Sequence, residues 1–147
     1  MTTGTFRGLP DDWARRPMTD PDLFEGVVDL AVFEAFRATG GVALLLCHAD
    51  GRLMQPVTVE TVNAASPPCE AEARLAAILA DIVGTGVPAV VMVVARPGSA
   101  AATERDRDLR DAFVRASRAS GITLLGSALA VPGVVLDLTP ASATEAA

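Results

Sequence analysis

Lysine and tyrosine are missing from this 147-residue sequence, and histidine and tryptophan occur only once each. All twelve basic residues are therefore arginine. Without lysine the chain cannot form a Schiff base, hold pyridoxal phosphate covalently or supply the lysine of a Walker A loop. Because His48 is the only histidine, the chain cannot build a zinc site from several of its own imidazoles.

Cysteines and long apolar runs are also scarce. Cys47 and Cys69 are too few and too far apart for a disulfide framework. No apolar run approaches the roughly 20 residues that span a bilayer, and the first residues lack the basic-then-apolar layout of a signal peptide. We therefore expect a reduced, cytoplasmic protein with no membrane segment.

The charge and the apolar content are more informative. A net charge of −6 makes nucleic acid an unlikely partner, because affinity for nucleic acid depends on clustered positive charge. Half of the residues are apolar but only 4% are aromatic, which predicts a core of aliphatic side chains. The length fits one domain. We predict an irregular N-terminal arm over residues 1–19, a single α/β domain over 20–139 and a disordered tail over 140–147.

The N-terminal part of that domain predicts a long helix. Asp20 suits the N-cap, Pro21 suits the first turn, and Gly40-Gly41 is a typical C-terminal stop. Apolar residues occur all round this segment, which predicts a helix buried on more than one side, either at a core position or in a dimer contact. They include Leu23, Phe24, Val27, Val28, Leu30, Phe33 and Phe36.

Two strands joined by a hairpin follow. Val42–Cys47 is typical of a buried strand, and Asp50-Gly51 before an alternating segment is a strong hairpin signal. Pro56 has no N–H to donate, so the second strand is predicted to lie at a sheet edge or to be bulged.

The remaining elements alternate between helix and strand. We predict a helix over Cys69–Val83, a central strand over Val87–Ala95 and a helix that begins near Thr103 and ends at Gly121. Thr103 and Asp106 form a variant capping box. Short strands, or parts of one bent strand, are predicted over 122–125, 128–131 and 134–138. The whole order predicts an α/β (α+β) fold with a mixed β-sheet flanked by helices on both faces.

From Val42 to Leu138 the sequence resembles the JAB/MPN-type domain of RadC proteins. The resemblance rests on the strand Ala43–Cys47, its turn and second strand, a helix, the strand Ala89–Val94 and a Pro/Gly/Ser loop. A helix from Thr103 then ends in Gly-Ile-Thr-Leu-Leu at residues 121–125. An uncharacterised actinobacterial family without metal ligands reads in much the same way. The resemblance implies a three-layer, cytidine-deaminase-like domain.

The metal ligands of the resembled family are missing here. Its signature is His-x-His, seven residues, Ser, two residues and Asp, with an upstream Glu, and such a set holds zinc and activates water. The two histidine positions correspond to Val94 and Arg96. Strict spacing places Glu104 and Arg107 at the Ser and Asp positions. A spacing one residue shorter places Thr103 and Asp106 there instead. The resemblance therefore implies a domain without a catalytic metal.

Other groups of polar residues have ordinary structural interpretations. Cys47, His48 and Asp50 could bind metal, but neighbours in a strand point to opposite faces, which favours a buried cysteine and an exposed turn histidine. A serine nucleophile, Ser99 or Ser127, would lack the Gly-x-Ser-x-Gly elbow. Glu70 and Glu72 lie in the first turn of a predicted helix, where the positive end of the helix dipole favours carboxylates. The charged run 104–111 is typical of a solvated helix face, although it could dock a partner.

The loop after the central strand is the best candidate for a ligand site. It precedes a helix N-terminus at the carboxyl end of a strand, where anions often bind. The candidate residues are Arg96, Ser99, Thr103 and Asp106, with a plain connecting loop as the simpler interpretation. If Arg96 and Asp106 meet, they would form a structural clasp or an anion pocket.

Three functions remain open at this point. The leading hypothesis is a non-catalytic JAB/RadC-like domain that serves as an interaction or regulatory module, expected as a homodimer or bound to a protein partner. The alternative is a small-molecule or anion-binding protein that uses the Arg96–Thr103 loop. A metal-dependent hydrolase is the third. We predict no catalytic residues, no metal and no cofactor.

Overall fold

A computed structural model describes residues 9–63 and 65–139. The first eight residues of the predicted arm and the predicted disordered tail, 140–147, lie outside the described residues. Within residues 9–63 and 65–139, five strands form one sheet in the order β2-β1-β3-β4-β5. The strands are β1 (Gly41–Cys47), β2 (Leu53–Val59), β3 (Ala89–Ala95), β4 (Thr123–Val131) and β5 (Val134–Asp137). Strands β3 and β4 are parallel and the other neighbours are antiparallel, so the predicted mixed sheet is confirmed.

Helices cover both faces of this sheet, as predicted. They are α1 (Phe24–Ala31), α2 (Glu34–Thr39), α3 (Pro68–Gly84) and α4 (Glu104–Ser120). Leu75 of α3 and Phe113 of α4 belong to one apolar cluster, and Val27 of α1 belongs to a second. The sheet separates the two clusters, which gives three layers with α3 and α4 on one side and α1 and α2 on the other.

Strand β3 is the centre of the molecule. All seven of its residues are buried, with β1 on one side and β4 on the other. Met92 packs into the first cluster, whereas Val91 and Val93 pack into the second, because successive side chains of a strand point to opposite faces. The prediction of a central strand covered on both faces is confirmed.

The predicted hairpin and the position of its second strand at a sheet edge are also confirmed. Asp50 and Gly51 lie in the turn between β1 and β2, where Gly51 has φ +92° and its N–H donates to the His48 carbonyl. Strand β2 is an edge of the sheet, and Pro56 lies opposite Leu45 in an unbroken stretch of pairing. The sheet accommodates the proline because an edge strand has a partner on one side only.

The prediction of one helix from Asp20 to Gly40 is wrong. The chain forms a turn after Asp20, begins α1 at Phe24 and breaks at Val32 and Phe33, whose backbones are extended. The break lets the buried side chain of Arg37 reach the carbonyls at the end of α1. It also leaves Phe33 73% exposed, so Phe33 does not occupy a core position within the chain, and a dimer contact stays a prediction.

The two later helices and the last strands follow the prediction closely. Helix α3 extends one residue beyond each predicted end, and α4 begins after Thr103 and ends at Gly121, which has φ +79°. The segments 122–125 and 128–131 are parts of one strand, β4, whose pairing with β3 shifts between Val90 and Val91.

The described part of the N-terminal arm packs against the domain. Leu9 and Trp13 contact the second apolar cluster. Met18 is buried, and its N–H donates to the carbonyl of Gly51. Among the described residues, no helix has the length and apolar character needed to cross a membrane.

Candidate functional site

The candidate loop leaves the sheet at the carboxyl end of β3. Arg96 follows directly, and its backbone N–H continues the pairing by donating to the Ala130 carbonyl of β4 at 3.1 Å. The chain then turns through Gly98, which has φ +101°, a left-handed conformation that favours glycine. Thr103 ends the loop as the N-cap of α4. The loop is thus fixed by the sheet at one end and by a helix at the other.

The guanidinium of Arg96 lies at the centre of this loop. Its Nε and Nη2 donate to Oδ1 and Oδ2 of Asp106 at 2.9 and 2.8 Å. Nη1 donates to the carbonyls of Pro97 and Ser99 at 3.0 Å, and Nη2 donates to the carbonyl of Ala101 at 3.0 Å. A guanidinium has five N–H groups, so every one is used. We call this set of one guanidinium, one carboxylate and three carbonyls the Arg96 clasp.

Asp106 joins the clasp to the helix. Its N–H donates to Oγ1 of Thr103 at 3.2 Å, while the Thr103 N–H donates back to Asp106 Oδ2 at 2.8 Å. The predicted capping box is therefore confirmed. The Asp106 carboxylate thus accepts two hydrogen bonds from Arg96 and one from the helix N-terminus.

The environment of the clasp keeps both groups charged. Asp106 is fully buried, and burial alone would raise the pKa of its carboxyl. The hydrogen bonds from Arg96 and Thr103 outweigh burial and lower the pKa below its ordinary value. The hydrogen bond to Asp106 likewise raises the pKa of Arg96. The pair is a short, bidentate ion pair, 15% exposed on the arginine side.

All four candidate residues come together at this one place. Arg96 and the Asp106 carboxylate do meet, in an ion pair at 2.8 Å. Ser99 contributes its carbonyl to Arg96, and its hydroxyl accepts from the Ala101 N–H at 3.2 Å. Because all five guanidinium N–H groups donate within the chain, an anion could reach Arg96 only by displacing one of these oxygens.

The other polar residues singled out in the sequence are not assembled into a metal site. Among residues 9–63 and 65–139, no group of three or more His, Cys, Asp or Glu side chains is placed to hold a metal ion. Cys47 is buried, and burial raises the pKa of its thiol to about 11. His48 is half-buried rather than fully exposed, and Asp50 pairs with Arg52 at 2.7 Å. Ser127 is buried in β4.

The charged residues of α3 and α4 form pairs that the sequence did not specify. Arg115 of α4 bonds to Glu72 of α3 at 2.7 Å, which joins the two helices. Glu70 pairs with Arg74 at 2.6 Å within α3. These contacts add a role for both glutamates beyond their favourable position near a helix N-terminus.

A cleft of about 370 Å³ lies between the first turns of α3 and α4. Its walls are Ser66, Pro68, Ala71, Glu104, Arg105, Asp108 and Leu109. None of the four candidate site residues, all within the described part of the chain, is among them. The sequence contains no signal for this cleft, because it arises only from the way the two helices converge.

Arg37 is a fully buried arginine that sequence analysis missed. Its Nε donates to the Val32 carbonyl at 2.9 Å, and Nη1 donates to the Val131 carbonyl at 3.1 Å and lies 3.2 Å from the Glu34 carboxylate. Nη2 donates to the carbonyl and to the carboxylate of Asp29 at 3.0 and 2.9 Å. This side chain therefore joins the end of α1, the start of α2 and the end of β4.

Comparisons with protein-family models and with curated proteins found no match to this chain. The proposed function therefore depends on the sequence resemblance and on the geometry described above.

Proposed function

We propose that this chain is a non-catalytic JAB/RadC-like domain that acts as a protein-interaction or regulatory module in the cytoplasm, with a homodimer as its expected form. The observation that carries the proposal is the Arg96 clasp. Under the resemblance, Arg96 corresponds to a metal-ligand histidine. With a spacing one residue shorter than the family's, Asp106 corresponds to its aspartate. A guanidinium bound to that aspartate supplies positive charge where a metal would otherwise be held, but it offers no open position for an activated water.

The order of elements supports the resemblance on which the proposal depends. Strand β1, the turn at Asp50-Gly51 and strand β2 are followed by α3, β3, the Arg96 loop and α4. Gly121 then ends α4, and β4 begins at Thr123. The strands, helices and loop thus occur in the same order as the segments on which the sequence resemblance rests.

A ligand-binding role for the Arg96 loop is the competing proposal. Anion sites at helix N-termini present N–H groups to solvent. Here the Thr103 N–H donates to Asp106, and the N–H groups of Arg96 donate to Asp106 and to the loop carbonyls. The contacts therefore favour a structural role for the loop over an anion pocket.

Zinc analysis tests the non-catalytic assignment. We expect purified protein that has been incubated with zinc and desalted to retain far less than one zinc per chain. Asp106→Ala should give the same result, as should the matched variant Asp108→Ala two residues away in α4. Stoichiometric zinc in the wild type that is lost in Asp106→Ala but kept in Asp108→Ala would overturn the proposal. Metal content is read by atomic emission on the same samples.

A further inference from the structure

We propose that the loop 97–101 and the Asp106 carboxylate form a guanidinium-binding site that the chain keeps filled with its own Arg96 side chain. The inference goes beyond the proposed function and does not depend on the JAB resemblance. It follows from the five oxygen atoms arranged around one planar cation. The ligand class of the emptied site is thus a small alkylguanidinium.

The acceptors of the loop are arranged around a planar cation. Oδ1 and Oδ2 of Asp106 bind one edge of the guanidinium, and the carbonyls of Pro97, Ser99 and Ala101 bind the remaining N–H groups. The three carbonyls come from alternate residues, so the backbone between them curves round the cation. This matches all five donors of the fork that distinguishes arginine from lysine.

The loop would bring negative groups together if it held no cation. Three carbonyl dipoles and a buried carboxylate point towards the same space, and they repel one another unless a positive group lies between them. The loop has few other internal bonds among the described residues; one joins the Ala101 N–H to the Ser99 hydroxyl at 3.2 Å. The conformation of the loop therefore depends on the bound cation.

The spacing of the five oxygens favours a planar cation over a spherical one. Each oxygen lies 2.8–3.0 Å from a guanidinium nitrogen, and these nitrogens are at the perimeter of the cation. Calcium needs six to eight oxygens about 2.3 to 2.6 Å from one central point. The ring is therefore too wide for a spherical ion but fits a planar one. Ethylguanidinium carries the same head group as arginine and enough alkyl chain to replace part of the lost side chain.

The test is chemical rescue of the Arg96→Ala variant. The measured quantity is the melting temperature of that variant with and without added ligand. Millimolar ethylguanidinium should raise the melting temperature of Arg96→Ala saturably, by about 3 to 6 °C at tenfold excess over its Kd. Wild-type protein and the matched variant Arg74→Ala, whose arginine is half-exposed, should not respond. Urea is a neutral planar molecule and sodium and calcium are spherical cations, so none of the three should rescue. Equal responses from wild type and Arg96→Ala, or rescue by urea, would overturn the proposal.

A second measurement covers the case in which Arg96→Ala does not fold. In wild-type protein, NMR should show the Nε–H and Nη–H protons of Arg96 exchanging slowly with water, with signals assigned by their loss in Arg96→Lys. Fast exchange, like that of an exposed arginine, would refute the inference. Failure of the rescue alone would leave the proposed function to its zinc test. Fast exchange at Arg96 would also remove the Arg96 clasp, which supports the proposed function.

Discussion

At the scale of single residues, the central feature is a fully buried carboxylate that stays ionised. Burying a charge is unfavourable unless it is paired and hydrogen-bonded, and Asp106 meets both conditions through Arg96 and Thr103. The spacing of Thr103 and Asp106 made the capping box predictable. The three carbonyl acceptors were not predictable, because they depend on backbone angles such as the positive φ of Gly98.

Replacing Asp106 with asparagine should reduce both stability and its dependence on pH. The folded pKa of Asp106 lies below the ordinary value, so the folded state binds its proton less tightly than the unfolded state. The stabilisation is therefore complete above pH about 4 and is lost as the pH falls through the folded pKa. We expect Asp106→Asn to lower the free energy of unfolding by about 2 to 4 kcal/mol at pH 7.

Urea denaturation between pH 2 and 7 checks this prediction, with Asp50→Asn as the matched control. Hydrogen bonds also lower the pKa of Asp50, but its side chain is 57% exposed and its pair with Arg52 is screened by water. The Asp50 variant should follow the wild-type pH curve. A wild-type slope retained by Asp106→Asn would show that another group produces the pH dependence.

At the scale of elements, a single buried side chain explains the one large error in the predicted fold. Apolar periodicity and the Gly40-Gly41 stop indicated one continuous helix, yet α1 ends at Ala31. The carbonyls of Asp29 and Val32 turn towards Arg37 instead of continuing a helical ladder. Sequence alone could not reveal this, because the third carbonyl, that of Val131, is 94 residues away.

Arg37→Met should therefore be far more destabilising than Arg74→Met. The first change leaves the nearly buried Asp29 carboxylate and three carbonyls without their donor, at a cost of about 3 to 5 kcal/mol. The second removes a half-exposed pair with Glu70 and should cost less than about 1 kcal/mol. Urea denaturation monitored by circular dichroism compares them. Similar midpoints for the two variants would mean that Arg37 does not hold these elements together.

At the scale of the whole molecule, the sequence predicted the helices and strands of each layer better than the contacts between them. Strand β3 and helices α3 and α4 were predictable because apolar residues recur with the period of each element and capping residues mark the ends. The places where two elements meet depend on contacts between residues that are far apart in the sequence. Examples are the cleft between α3 and α4, the ion pair between Arg115 and Glu72, and the packing of Met18 beside Gly51.

The two edges of the sheet offer little for association with a second chain. Strand β5 is only four residues long, and β2 carries Pro56, which cannot donate a hydrogen bond to an added strand. The exposed apolar side chains are the remaining candidates for a dimer contact. Phe33 is 73% exposed, and Leu30 three residues earlier is 37% exposed. A homodimer should therefore form through the junction of α1 and α2 and not through a sheet edge.

Light scattering of wild-type protein, Phe33→Ser and Met54→Ser tests this arrangement. We expect the wild type to have twice the chain mass of 15.1 kDa, because burying Phe33 in a dimer removes a large aromatic surface from water. Phe33→Ser should give the single-chain mass at the same concentration. Met54, 41% exposed on β2, is the matched control, and Met54→Ser should remain dimeric. A monomeric wild type at high concentration would exclude the homodimer, and dissociation by Met54→Ser instead would place the interface on the β2 side.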